Sequence, residues 1–304
     1  MKFDKTDLYC LLMVLVWGAN MPIAKDAMTE VSPLSFNAVR LILASLFLLL
    51  LTIGIEGRLL LRRQDFAKIG ILAVIGNTIY QIFFILGLHW TKAGNVALLL
   101  SGTTILTALL SRALGHERLG RIVWLGISIS LAGVILILVE SAELSIGGGT
   151  LRGDLMIVGS SVCWAIYTVF SRPMMEDYSP LNLTAVTLSA GSLGFLVFAA
   201  PDLITETWST VSLKSYLALI YSFTFALAIG YALWFTVIAK IGPTRTSIYG
   251  NLIPFVGLVF SWILLGERIT LFQIMGGGLI LTGIYLTRRG RPAEAPSAIR
   301  RRPS

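Results

Sequence analysis

The amino-acid sequence predicts an all-α membrane protein, with ten transmembrane helices in two inverted five-helix repeats. Three observations lead there. Mean hydropathy is +0.82, and 13% of the 304 residues are charged while 56% are apolar. A water-soluble domain carries about 25% charged residues, so this chain has too little polar surface to face water. The apolar residues fall in runs near the ~20 residues that a helix needs to cross a bilayer. The chain also repeats itself. Trp17 recurs as Trp164, Ser32-Pro33-Leu34 as Ser179-Pro180-Leu181, and Ala38-Val39 as Ala185-Val186, each 147 residues on. Glu117-Arg118 recurs as Glu267-Arg268, Gly126 as Gly276 and Gly133 as Gly283, each 150 residues on.

The first expected span, Leu8–Ala24, resembles a signal peptide only in length. Asp4 and Asp7 spoil the basic leader, and no small-x-small cleavage site follows at a suitable distance. It also matches the sixth span through the repeat. The others are Leu34–Gly54, Phe66–Leu88, Ala93–Ala113, Ile122–Val139, Gly153–Phe170, Leu181–Ala200, Tyr216–Ile238, Thr246–Leu265 and Leu271–Thr287. None alternates and none is amphipathic, as expected of helices bathed in lipid. The expected units are residues 1–140 and 141–287, each of five helices, and a disordered tail over 288–304. Arginines in that tail could rest on anionic lipid.

With the N-terminus placed inside, the outer segments hold only Lys25, Arg40, Lys92, Arg152, Lys214 and Arg268 of the 24 Lys and Arg residues. The bias predicts both termini in the cytoplasm. Five spans is an odd number, so the second copy enters from the opposite face. Glu117 and Glu267 then lie at opposite surfaces. Inverted pairs of this kind can close one mouth while opening the other.

The net charge of +8 sits in short gaps and in the tail, where it orients helices. It does not form a nucleic-acid surface. Cys10 and Cys163 both lie in apolar runs and read as packing residues.

The chain resembles the EamA-type branch of the drug/metabolite transporter superfamily. The likeness rests on Trp17-Gly18-Ala19-Asn20, Lys25, Ser32-Pro33-Leu34 and Arg40-Leu41 in the first copy. In the second it rests on Trp164 to Thr168, Ser179-Pro180-Leu181, Leu264 to Ile269, Gly276–Gly278 and Leu281-Thr282-Gly283. Gly115-His116-Glu117-Arg118-Leu119 is the first-copy form of the Glu-Arg motif. The resemblance covers Leu8 to Thr287. It implies ten helices in two inverted repeats and export of small metabolites such as amino acids. It does not fix the substrate.

Candidate substrate-binding residues follow from polar and aromatic groups within spans. Arg40 lies two turns into the second span, where a buried ion is costly unless it faces partners or water. It reads either as an anion anchor or as an arginine that snorkels or ties helices. Its repeat partner is Thr187, so the scaffold does not demand the charge. Trp17 and Asn20 share a helix face, and Trp164 and Tyr167 repeat that pattern. They read as walls of a midplane cavity, with an interfacial belt as the alternative. Tyr80, Phe83 and Phe84, like Tyr231 and Trp234, read equally as cavity lining or core. Asn77, Gln81, Ser101, Thr103, Thr104, Tyr249 and Asn251 must find hydrogen bonds in lipid, and interhelical glue is their default role. Tyr249 and Asn251 are also taken as candidate substrate contacts. Pro254 interrupts the ninth span and frees a carbonyl. Glu117 and Glu267 read as caps or surface ion pairs. Gly126, Ser130, Gly133, Gly276 and Gly283 read as a small-residue packing face.

No acid lies at the centre of any expected span, which weakens proton antiport and a preference for cations. His89 and His116 sit at span ends. No phosphate-binding loop or metal cluster appears, so no cofactor is expected. The expected partners are a small molecule and the lipid bilayer, with no nucleic acid, and the oligomeric state is open. The expected function is secondary or facilitative export of small neutral metabolites by alternating access, in a bacterial inner membrane. The alternatives are a carrier of phosphorylated or nucleotide-linked metabolites and, from another class, a non-transporting scaffold subunit. An intramembrane enzyme would need a nucleophile and base, or a metal, at membrane depth. Neither is found.

Overall fold

The structure is a computed structural model that describes residues 5–91, 93–140, 151–265 and 270–289. The described residues are helical and contain no β-strand. We number the helical runs α1 (Lys5–Ala27), α2 (Pro33–Glu56), α3 (Arg63–Trp90), α4 (Asn95–Ala113), α5 (Arg121–Glu140), α6 (Leu151–Met174), α7 (Pro180–Thr205), α8 (Leu213–Ile241), α9 (243–265) and α10 (Leu271–Arg289). Seven of these, α1–α4 and α6–α8, are long and apolar enough to cross a membrane by length and composition, and α5 holds a shorter apolar stretch over Arg121–Ile137. Apolar side chains point both ways. Met13, Leu41, Leu48, Phe195 and Phe235 are buried, whereas Leu50, Val197 and Leu213 are 72%, 78% and 74% exposed. An outer surface that apolar suits lipid and not water.

Several starts of helices explain the repeated sequence motifs. In Ser32-Pro33-Leu34 the Ser32 hydroxyl accepts from the Ser35 N–H at 3.2 Å, and Pro33 opens α2. In Ser179-Pro180-Leu181 the Ser179 hydroxyl accepts from the Asn182 N–H at 3.0 Å, and Pro180 opens α7. Proline costs nothing at a first turn whose N–H has no partner within the helix. The two starts are tied to each other's helices. Ser179 donates to Glu56 at the end of α2 (2.5 Å), and the Ser32 N–H donates to Glu206 at the end of α7 (2.9 Å). Glu56 and Glu206 are 150 residues apart. The pair α2–α7 is therefore fastened reciprocally, once at each end.

Polar contacts sort into two ends. At one end Arg288 pairs with Asp7, whose carboxylate also accepts from Tyr249 at 2.8 Å. There Arg62 pairs with Asp177 at 2.6 Å, and Tyr178 donates to Asp65 at 2.8 Å. Glu117 takes both the N–H and the hydroxyl of Thr244 at the start of α9. It is the helix cap that sequence reading offered, while Glu267 and Arg268 lie outside the described residues. At the other end Lys214 meets Asp26 at 2.8 Å, and Asp154 accepts from Thr91 and Asn95 at 2.5 and 2.9 Å. Glu30 accepts from the Ser212 N–H and hydroxyl and from the Ser215 hydroxyl. Those bonds, the Ser212 backbone N–H foremost, hold the Glu30 carboxyl below its ordinary range.

The expected small-residue face is the seam between α5 and α10. A Cβ placed on Gly126 would stand 2.6 Å from the Gly283 carbonyl, and one on Gly133 would stand 2.5 Å from that of Gly276. Only glycines let these backbones approach so closely.

Four helices are irregular. A π-helical segment, Val74–Ile79, interrupts α3, and another, Ser222–Ile229, interrupts α8 at a position about one repeat length away. The expected continuous span Ala93–Ala113 is broken at Gly102. Pro254 does not kink a helix. It stands at the second position of Ile253–Leu265, after the 3-10 segment Ile248–Leu252. The last helix runs on through Arg289, so the first two residues read as tail belong to α10. Residues 290–304 lie outside the described set.

Gly126→Leu is expected to cost about 1–3 kcal/mol by overpacking, read as a lower melting temperature in detergent. Gly278→Ala, which meets open space, leaves that temperature unchanged or raises it. Glu30→Gln lowers it at pH 7. Because folding depresses the Glu30 pKa, its contribution is present above the ordinary value of 4.5 and disappears as the pH falls through the depressed one. Wild type and variant therefore converge in acid.

Candidate functional site: an aromatic cavity between the helices

A cavity of about 380 Å³ lies among α1–α6, α8 and α9. Ligand pockets run from roughly 300 to 1,000 Å³, so this one suits a small molecule. Its wall is an aromatic cluster centred on Trp164. The Trp164 ring stands 4.8 Å from Tyr80, 5.0 Å from Tyr231, 5.6 Å from Trp234 and 6.1 Å from Trp17, centroid to centroid. These are tilted or edge-on contacts, the arrangements that aromatic quadrupoles favour. Phe84 stacks on Tyr80 at 5.8 Å.

The interruptions in the helices let the rings in. Gly230 follows the π segment of α8, and a Cβ there would stand 2.5 Å from the Trp17 indole nitrogen. That nitrogen donates to the Ala226 carbonyl at 2.8 Å, within the π segment. Asn20 accepts from the Ser222 hydroxyl at 2.7 Å. One face of α1 is thus bonded to the irregular stretch of α8.

The polar corner of the cavity is a chain of three helices. Arg40 on α2 is 3% exposed. Its Nε donates to Asn37 at 2.6 Å, and its guanidinium donates to the Gln81 carbonyl oxygen on α3 at 3.3 Å. The Gln81 amide nitrogen donates to the Tyr231 hydroxyl on α8 at 2.9 Å. Deeper in, the Thr104 hydroxyl on α4 lies 3.1 Å from the Ser247 carbonyl and 3.2 Å from the Asn251 side chain on α9. This joins the two broken helices. In the direction of Asp26 the lining reaches exposed Pro22 and Lys25. At the other end the lining holds Thr104, Ser247 and Asn251, and Asp7, Tyr249 and Arg288, which are bonded together, are not part of it.

Nine of the eleven residues proposed from sequence lie in this lining: Trp17, Asn20, Arg40, Tyr80, Phe84, Trp164, Tyr231, Trp234 and Asn251. Tyr167 and Tyr249 do not. Tyr167 is fully buried against Gly76, with its hydroxyl 2.6 Å from that of Thr187. The helical spacing shared with Trp164 turned it into the packing of α3 and α7. Tyr249 is pulled out of the cavity by its bond to Asp7. Phe83 packs on Gly159 and is structural. Gln81, whose default role from the sequence is interhelical glue, also lines the cavity. Its signal was an amide beside Tyr80, three residues before Phe84. Among the described residues no group of His, Cys, Asp or Glu could hold a metal.

A multi-helix, lipid-faced chain with a small-molecule cavity between its helices defines a class, the multi-pass membrane transporters. The model of the EamA-like transporter family matches residues 4–139 and 151–289, and the chain belongs to that family. It is a membrane transporter and not an enzyme. It is similar to an uncharacterized transporter of Bacillus subtilis (strain 168), 31% identical over 280 residues and 90% of each chain. A second uncharacterized transporter, from Archaeoglobus fulgidus, is 26% identical over 93% of this chain and 97% of its own. A probable amino-acid metabolite efflux pump of Salmonella typhimurium is 25% identical over 93% of this chain and 94% of its own. A solved crystal structure, described only as that of a protein, superposes with a TM-score of 0.78 at 18% identity, over 95% of this chain and 99% of its own. It is a likeness of fold.

Tyr167→Phe is expected to cost about 0.5–1.5 kcal/mol of stability and to leave ligand affinity unchanged. Trp164→Ala, at the hub of the lining, is expected to weaken ligand binding about tenfold or more. Denaturation and binding titrations on the purified variants check both.

Proposed function

We propose that the protein is a secondary or facilitative exporter of small metabolites without net charge, amino acids among them, working by alternating access. The observation that carries this reading is the cavity, which reaches exposed Lys25 at one end and ends at the other where Thr104 bonds to Ser247 and Asn251. It is read as one of two alternating states. In this reading all ten helical runs cross the membrane, as two inverted repeats over residues 1–140 and 141–289 with a tail from residue 290. Three features support the inversion. Residues 150 apart make the reciprocal Glu56–Ser179 and Glu206–Ser32 contacts. The π segments of α3 and α8 fall at matching positions. α1 packs on α8 as α6 packs on α3.

The charge bias supports both termini on the cytoplasmic side, and in the proposed bacterial inner membrane the Lys25 mouth then faces outward. Trp17, Asn20, Arg40, Tyr80, Phe84, Trp164, Tyr231, Trp234 and Asn251 contact the substrate. The name of the Salmonella relative agrees with amino-acid export. A carrier of phosphorylated or nucleotide-linked metabolites is a weaker reading, because a dianionic phosphate calls for several cations at depth and, among the described residues, the lining offers Arg40 there and Lys25 at the mouth.

Proteoliposomes preloaded with unlabelled amino acids are expected to show saturable counterflow of labelled ones. Absence of counterflow across a broad metabolite panel, with protein shown to be folded and inserted, overturns the proposal.

A further inference from the structure

Among the described residues the cavity lining holds one buried positive charge, Arg40, and no acid. Arg40 is 3% exposed, and its described bonds go to two neutral amides, those of Asn37 and Gln81. A guanidinium has five N–H donors, so these bonds leave some unspent beside the void. No Asp or Glu lines the cavity among the described residues. Acids are instead spent at the two ends of the bundle. Asp7 pairs with Arg288, Asp177 with Arg62 and Asp26 with Lys214. Burying an ion without a counterion costs several kcal/mol, and an ionisable group at membrane depth marks a substrate path by default.

The other half of the chain shows that the scaffold does not need the charge. The residue 147 positions after Arg40 is Thr187, and there a neutral 2.6 Å bond to Tyr167 holds α7 against α6. The same architecture stands with a threonine. Arg40 is therefore an addition to one half, set where Gln81 and Tyr231 fix its direction. Gln81 accepts from both Arg40 and Asn37 with its oxygen, which leaves its nitrogen for Tyr231. This locked chain keeps the guanidinium from swinging to the surface.

From this we infer that the protein selects its substrate by a single carboxylate bound at Arg40, with an apolar or aromatic body against Trp17, Trp164 and Trp234, and that an α-amino group contributes nothing to recognition. The inference rests on the transporter reading and departs from it at one point, because a monocarboxylate without an amino group carries a net charge of −1. The substrate class is small monocarboxylates, amino acids included and not required. A planar fork suits a carboxylate bidentately. Among the described residues no lining carboxylate meets an ammonium group, and Lys25, at the mouth of the lining, repels one. An organic amine lacking a carboxylate is rejected, because it would share a low-dielectric chamber with Arg40.

Three compounds with one aromatic body separate the contributions: phenylalanine, 3-phenylpropionate and phenethylamine. Binding to the full-length purified protein is measured by thermal shift and by quenching of the cavity tryptophans, and transport by counterflow. The two acids are expected to bind within about threefold of each other, and the amine at least about tenfold more weakly. Arg40→Gln is expected to lower affinity for both acids about tenfold or more and to leave that for the amine unchanged or raised. Arg40→Lys, a point charge without the fork, should fall between the two. The inference is overturned if the amine binds as well as the acids, if 3-phenylpropionate binds much more weakly than phenylalanine, if none of the three binds, or if Arg40→Gln leaves acid binding intact. If Arg40→Gln does not fold, the acid-to-amine ratio on the wild type decides. Acid-selective binding without counterflow of any compound sinks the transporter reading alone. Counterflow of the acids and the amine at equal rates sinks the inference alone.

Discussion

Inside a bilayer, no water is available to satisfy a backbone N–H or C=O, and most of this structure is a response to that constraint. Every helix leaves unpaired N–H groups at its start. Here several are met by glutamates in the segments that connect other helices. Glu117 serves α9, Glu30 serves α8, and Glu206 serves the Ser32 that begins α2. The carboxylates thus close the helix starts and tie neighbouring helices together in the same bond. A negative charge at a helix N-terminus also meets the positive end of the macrodipole. Because these bonds lie at the two ends of the bundle, the middle can be left to rings, small residues and a void.

The middle is where the helices break their own regularity. Two π segments, the Gly102 interruption and the 3-10 stretch before Pro254 all contribute residues beside the cavity or pack against its wall. Irregular backbone at membrane depth is tolerated only where it is buried in protein or lines a cavity, and π-bulges concentrate at functional sites. The freed groups are put to use, as the Ala226 carbonyl that receives Trp17 shows. Helices fastened at their ends and irregular in the middle have the mechanical character that rocking of one bundle against another requires.

Much of the fold was legible in the sequence because hydropathy and duplication are additive signals, spread over hundreds of residues. The positions of the apolar runs, the small-residue seam of α5 and α10, and the Trp17–Trp164 pairing across the halves all came from pattern alone. What the sequence did not show is local and geometric. Nothing in Val74–Ile79 distinguishes a π segment from an ordinary turn, since both satisfy the same apolar pattern. Tyr167 shares a helix face with Trp164, yet a small rotation separates a cavity wall from a buried contact on Gly76. Tyr249 depends on where Asp7 and Arg288 meet, a contact between the two ends of the chain. Gln81 looked like glue, and it is glue, but what it holds in place is the cationic corner of the cavity.

The rings around the cavity do not belong to one half of the chain. Trp17 and Tyr80 come from α1 and α3, while Trp164, Tyr231 and Trp234 come from α6 and α8. The Arg40–Gln81–Tyr231 chain crosses the same boundary. A ligand held here touches both halves at once, and any shift of α1 against α6 or of α3 against α8 changes the shape of its container. Binding free energy can move a conformational equilibrium only by the difference in affinity between its states. A chamber built from both sides of a moving boundary creates such a difference for any ligand that fits it. A chamber inside one rigid half would not, whatever its affinity. In the proposed mechanism the shared aromatic wall would couple occupancy to movement, and Arg40, whose counterpart 147 residues on is Thr187, would discriminate among the molecules that fit.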